Sequence, residues 1–125
     1  MGSLVIYYSE TGHTELVAKA IAEGMGCKAV RVEEGNDDEF VVIGTPTHGG
    51  MPVKQVINFI ERTKAKKSAI FCTCAGKVGE TLTVLENGLK QRGIEVVGKL
   101  EIKVGNQKPT LAHLKQAKEF GLSLK

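Results

Sequence analysis

Apolar residues recur along the chain in two alternating rhythms, short unbroken runs and helical stripes, and their succession predicts the architecture. Residues 4–8, Leu-Val-Ile-Tyr-Tyr, form the β-favouring run that a strand buried on both faces requires. Beyond them Leu16, Val17, Ala20 and Ile21 share one face of a helix, which Gly24 and Gly26 bring to a stop. A weaker strand follows at 27–32 and a strongly apolar third one at 40–44. Val53, Val56, Ile57 and Ile60 keep the i, i+3, i+4, i+7 spacing after Pro52, which suits the first turn of a helix. Strand four is predicted over 68–73, and a helix carrying Leu82, Leu85 and Leu89 over 80–92, stopped by Gly93. Strand five lies within 94–104, with a bend at Gly98, and a last helix over 111–120 follows Pro109 and the N-cap candidate Thr110.

Strands alternating with helices predict an α/β fold with a doubly wound sheet and right-handed crossovers. One link departs from the pattern. Only residues 33–39 separate strands two and three, too few for the helix that usually joins parallel strands. Extended, that link reaches about 24 Å, against roughly 20 Å for one strand length and two strand spacings. A shortened crossover is therefore predicted. Ligands on such sheets bind beyond the strands' carboxyl ends, where the strand order reverses. That rule points to the loops 9–14, 45–52 and 74–79.

Length and composition narrow the class. The 125 residues carry no repeat or Pro/Gly/Ser-rich linker, which suggests one domain, 1–125. With 42% hydrophobic and 25% charged residues the usage is that of a globular protein. No apolar run approaches the ~18 residues of a membrane span. Met1-Gly2-Ser3 begins without a basic leader, so a cytoplasmic location is expected. Three cysteines, Cys27, Cys72 and Cys74, are an odd number that predicts reduced thiols. Cys72-Thr73-Cys74 lacks the second ligand pair that zinc would need. A net charge of +3 and the absence of Trp argue against nucleic acid as the partner. Arg62, Lys64, Lys66 and Lys67 read as the solvated end of a helix.

The chemistry concentrates in Ser9-Glu10-Thr11-Gly12-His13-Thr14, where a strand passes into a helix and three hydroxyl residues surround one glycine. Free amides at a helix start carry partial positive charge, hydroxyls donate to anionic oxygens, and glycine permits a tight turn, so this is an anion cradle. Other phosphate chemistries fit poorly. Gly76-Lys77 and Gly98-Lys99 lack the earlier glycine and the following hydroxyl of a nucleotide P-loop. The Rossmann G-x-G-x-x-G is missing too. A Cys, five residues and Arg, as in low-molecular-weight phosphatases, does not occur: Cys72 leads to Val78 and Cys74 to Glu80. Strand one ends without the carboxylate that a response regulator phosphorylates.

The loop resembles the phosphate loop of the flavodoxin family, [ST]-x-T-G-x-T, through Ser9, Thr11, Gly12 and Thr14. Residues 37–47, which look like the family's third strand and its exit, together with Lys108-Pro109-Thr110 and Glu119-Phe120-Gly121, extend the resemblance over nearly the whole chain. It implies a five-stranded parallel sheet in the order 2-1-3-4-5, here with a shortened β2–β3 crossover, and flavin mononucleotide (FMN) as cofactor. By the same resemblance, Thr45, Pro46, Thr47, His48 and Gly49 belong to the first flavin loop. His48 stands where the family has an aromatic residue, and Gly49 offers the peptide that moves on reduction. Cys74, Ala75, Gly76 and Lys77 belong to the second flavin loop, which lacks the Tyr that the family commonly stacks on the outer ring face. The function implied is electron transfer through the flavin semiquinone and hydroquinone with a redox protein partner. Because this chain is basic where flavodoxins are acidic, that partner is expected to dock with an acidic face. Three readings stay open beside it: an FMN-dependent oxidoreductase acting on a quinone or porphyrinogen, a flavodoxin-like activator of ribonucleotide reductase, and a flavin-free interaction module.

Overall fold

The predicted alternation is realised in a computed structural model that describes residues 2–105 and 107–125. Among the described residues, strands β1 (Ser3–Tyr7), β2 (Lys28–Arg31), β3 (Phe40–Pro46), β4 (Lys67–Cys74) and β5 (Glu95–Lys103) alternate with helices α1 (His13–Met25), α2 (Lys54–Arg62), α3 (Thr81–Gln91) and α4 (Leu111–Ser123). All pairings are parallel and the order is β2-β1-β3-β4-β5, as expected from the resemblance. Alternate side chains of each strand enter opposite layers. Val5, Val42, Ala69 and Phe71 pack beneath Val17 and Ile21 of α1 and Ala117 of α4. Ile6, Val41, Ile43 and Ile70 pack beneath Val56, Phe59 and Ile60 of α2 and Leu85 and Leu89 of α3. Both faces of β3 are thus covered, which explains its unbroken apolar run.

The short crossover is a single 3₁₀ turn, Val32–Glu34, ended by Gly35 at φ 75°. Val32 is buried against the α2 layer, doing in one residue what a crossover helix does with a face. Asp37 completes the link: its carboxylate accepts from the Thr63 hydroxyl at 2.6 Å and from the Lys64 amide at 2.8 Å. Arg92 reaches from the end of α3 to the last carbonyls of α2, donating to Ile60 at 2.7 Å and Thr63 at 2.6 Å, a cationic cap.

Several boundaries shift from the sequence expectation. α2 starts at Lys54, with Val53 as its N-cap, so Pro52 lies outside its first turn. Lys67 opens β4 instead of ending the basic helix terminus. The bend at Gly98 is a bulge: Ser68 pairs with Val96 but Ala69 with Gly98, leaving Val97 over. α4 begins as expected on Thr110, whose hydroxyl accepts from the His113 amide at 3.2 Å, while His113 Nδ1 accepts from the Thr110 amide at 3.1 Å.

Candidate functional site

The strand order reverses beside β1, and three loops converge just beyond the carboxyl ends there. In the first, Ser9 is nearly buried and its Oγ accepts from the Gly12 amide at 3.1 Å and the Glu15 amide at 3.3 Å. With both lone pairs engaged, its hydroxyl hydrogen remains available to a ligand. Gly12 takes the left-handed conformation at φ 92° and, having no side chain, leaves the start of α1 uncapped from its own position. The amides of Glu10, Thr11, His13 and Thr14 find no acceptor among the described residues. Thr14 is buried, and its hydroxyl shares a 2.8 Å hydrogen bond with that of Thr73 at the end of β4.

The second loop is held at both ends. Thr45 Oγ1 accepts from the Val53 amide at 3.1 Å and donates to the Pro46 carbonyl at 2.8 Å. Thr47 donates its amide to the Thr73 carbonyl at 2.9 Å and accepts from the Thr81 hydroxyl at 3.2 Å. His48 and Met51 exchange backbone hydrogen bonds of 2.9 and 3.1 Å around Gly49 and Gly50, whose φ values of 61° and 78° make a hairpin turn that glycine favours. Gly50 in turn accepts from the Glu80 amide at 2.8 Å, binding this loop to the third. The backbones touch there: a Cβ on Gly79 would stand 2.5 Å from the Gly50 Cα.

The third loop leaves β4 at Cys74, a buried residue whose carbonyl accepts from Val104 at 2.9 Å. Ala75, Gly76 and Lys77 are exposed beyond it. Across the opening, His48 Nε2 lies 2.8 Å from Glu10 Oε1, joining the first loop to the second through two half-exposed side chains.

Together these loops enclose a cleft of about 140 Å³. Of the residues singled out from the sequence, Glu10, Thr11, His13, Thr14, Pro46, Thr47, His48, Cys74 and Ala75 line it. Ser9, Gly12, Thr45, Gly49, Gly76 and Lys77 are outside the lining. Ser9 and Thr45 shape it from behind through the hydrogen bonds above, while Gly49, Gly76 and Lys77 belong to the loops around its mouth. Sequence reasoning misses Thr73, Val104 and Gly105, which also line it. The signal for them is topological: each lies at or just past the carboxyl end of β4 or β5, the strands beyond β3 in the sheet order. Among the described residues no Phe, Tyr or Trp lines the cleft.

Residues 4–107 match the flavodoxin domain. The chain belongs to the flavodoxin domain family. Membership implies a flavin cofactor and oxidoreductase chemistry. Among curated relatives, an NAD(P)H dehydrogenase (quinone) from Chromohalobacter salexigens is 30% identical over an alignment of 139 positions, gaps included, that covers 76% of this chain and 69% of that one. The Flv1 flavodiiron core from Synechocystis sp. PCC6803 superposes with a TM-score of 0.78 at 24% identity. That alignment covers 96% of this flavodoxin-family chain and only 34% of the flavodiiron chain, so this protein spans about a third of it. A WrbA-like flavodoxin from Agrobacterium tumefaciens gives a TM-score of 0.72 at 25% identity, covering 97% of this chain and 92% of that one. Among the described residues no helix is long and apolar enough to cross a membrane, and no group of His, Cys, Asp and Glu is placed to hold a metal.

Proposed function

We propose that this protein binds FMN in the cleft and serves as an electron-transfer flavoprotein. The observation that carries the reading is the start of α1, where Ser9 Oγ takes only the Gly12 and Glu15 amides, and the amides of Glu10, Thr11, His13 and Thr14 have no acceptor among the described residues. A helix start with four amides left over fits a dianion, since each amide left bare is costly and the partial positive charge favours phosphate. Family membership supplies the flavin and this donor set supplies the reason for its phosphorylated form.

Ser9, Glu10, Thr11, Gly12, His13 and Thr14 would hold the phosphate, and Thr45, Pro46, Thr47, His48, Gly49, Cys74, Ala75, Gly76 and Lys77 the ring end. At about 140 Å³ the cleft is smaller than the roughly 300–1,000 Å³ of sites that enclose a small ligand. It suits one end of FMN, with the rest lying against the open surface between the second and third loops. His48 offers a flat side chain there, fixed through Glu10. Bound FMN would supply one- and two-electron redox chemistry; the chain orients it and sets its electrostatic surroundings.

Titration of FMN with the purified protein tests this. Quenching of flavin fluorescence to a stoichiometric endpoint is expected, and unchanged fluorescence at high protein concentration overturns it. A second reading, an FMN-dependent oxidoreductase acting on a small substrate, is favoured by a cleft that no described Phe, Tyr or Trp lines and by the quinone dehydrogenase relative. Rapid NAD(P)H oxidation by the isolated FMN-loaded protein with a quinone would select it.

A further inference from the structure

Arg31, the last residue of β2, lies outside the cleft yet is wired to the anion cradle. Its Nη2 donates to the Ser9 carbonyl at 2.8 Å and to Glu33 Oε2 at 3.0 Å. Its backbone amide donates to Glu34 Oε2 at 3.3 Å, so the 3₁₀ turn that replaces a crossover helix also fixes the arginine. The guanidinium carbon stands 5.8 Å from the ring centroid of Tyr7 and 5.9 Å from that of Tyr8, close enough for cation–π attraction to both. Four contacts thus hold a side chain that would otherwise be free at a sheet edge.

The peptide between Ser9 and Glu10 is trans, as every described peptide bond is, so its C=O and N–H point in opposite directions. With the carbonyl drawn out to Arg31, the Glu10 N–H is turned the other way, and it has no acceptor among the described residues. We infer that Arg31 is a positioning residue for the phosphate site: by gripping the Ser9 carbonyl it aims the Glu10 amide into the cradle. It thereby sets the preference for a phosphorylated flavin over an unphosphorylated one. This rests on the FMN reading above. Nη2 alone serves both Ser9 and Glu33, one through each of its two hydrogens.

The test compares wild type with Arg31→Met and Glu33→Ala, titrating each with FMN, riboflavin and inorganic phosphate and following backbone amides by NMR. For Arg31→Met, affinity for FMN and for inorganic phosphate falls about tenfold, the scale of a lost charge-assisted hydrogen bond, while riboflavin affinity holds. The phosphate-induced shift of the Glu10 amide resonance, present in wild type, is lost. Glu33→Ala separates aim from charge. Removing an acid near the site would strengthen FMN binding if Arg31 acted only through its field, whereas loosening the arginine weakens binding if it acts through Ser9. Weaker FMN binding in Glu33→Ala supports the assignment and tighter binding overturns it. Equal losses of FMN and riboflavin affinity in Arg31→Met, or no loss of either, also overturn it. Should wild type bind neither FMN nor phosphate, the FMN reading itself fails and this one with it.

Discussion

Cys72 sits fully buried in β4, one residue from Thr73 and its contacts to the first two loops. Burial pushes its thiol up to about 12 from an ordinary 9.0, a hydrogen bond with Thr47 opposing only part of the rise. The neutral thiol is therefore the form the folded protein prefers, and the stability it contributes is complete below the unfolded value. That contribution declines as pH climbs from about 9 towards 12, because the unfolded chain ionises first. Between about pH 8 and about pH 11 the thiol alone should remove roughly 2–3 kcal/mol from the unfolding free energy. Urea titrations at the two pH values check this against Cys72→Ala, which should lose less over the same interval. Equal losses would mean that the site is wetter than its burial indicates. The same elevation keeps Cys72 unreactive near neutrality, since the thiolate is the nucleophile. Cys74 is raised as well, again chiefly by burial, so the cleft's own cysteine is held protonated.

At the scale of elements, α1 and α4 meet backbone to backbone. A Cβ on Gly24 would collide with the Lys118 carbonyl, and one on Gly121 with the Ile21 carbonyl. Helix propensity alone would have Gly24→Ala gain about 1 kcal/mol. The collision is with rigid backbone, for which overpacking costs typically 1–3 kcal/mol, so a net loss of stability is expected, read as a lower thermal midpoint. A rise would mean that the two helices can separate freely. This pair also shows where sequence reading ends. Gly24 reads as a helix stop, yet it lies inside α1, which ends at Gly26. The strands, the order of elements and the tight turn into α1 were legible because each rests on a local pattern: an apolar run, a 3.6-residue stripe, hydroxyls around a glycine. Arg92 capping α2, Arg31 holding Ser9, and Thr73, Val104 and Gly105 in the cleft wall were not, since each depends on a neighbour 22 or more residues distant or on strand order. The short crossover was legible as a deficit of residues. Its replacement by Val32 and Asp37 was not, because one buried valine and one carboxylate carry no period.

Over the whole molecule the net charge of +3 is distributed unevenly around the cleft. Lys77 in the loop after β4, Lys103 at the end of β5 and Lys108 before α4 are exposed, and none forms an ion pair among the described residues. On the opposite flank lie Glu10, paired with His48, and Glu33, paired with Arg31. Around the cleft, lysines without an ion pair among the described residues gather beside β4 and β5, where Glu80 and Glu101 also stand, whereas Glu10, Glu33 and Glu34 outnumber Arg31 beside β1 and β2. If the flavin ring lies between the second and third loops, an anionic reactant approaches it over the lysine flank. Oxidation of the reduced FMN-loaded protein by ferricyanide, a small anion, should then slow roughly tenfold as salt rises from about 0.01 M to about 0.1 M. Over that range the screening length contracts from about 30 Å to about 10 Å. A cationic oxidant such as hexaammineruthenium should show no such slowing. Replacing Lys77, Lys103 and Lys108 together by Glu reverses the local field and should exchange the salt responses of the two oxidants. Salt responses that stay the same after the replacement would place the electron's exit elsewhere on the surface, and the case for a partner with an acidic docking face would lose its support.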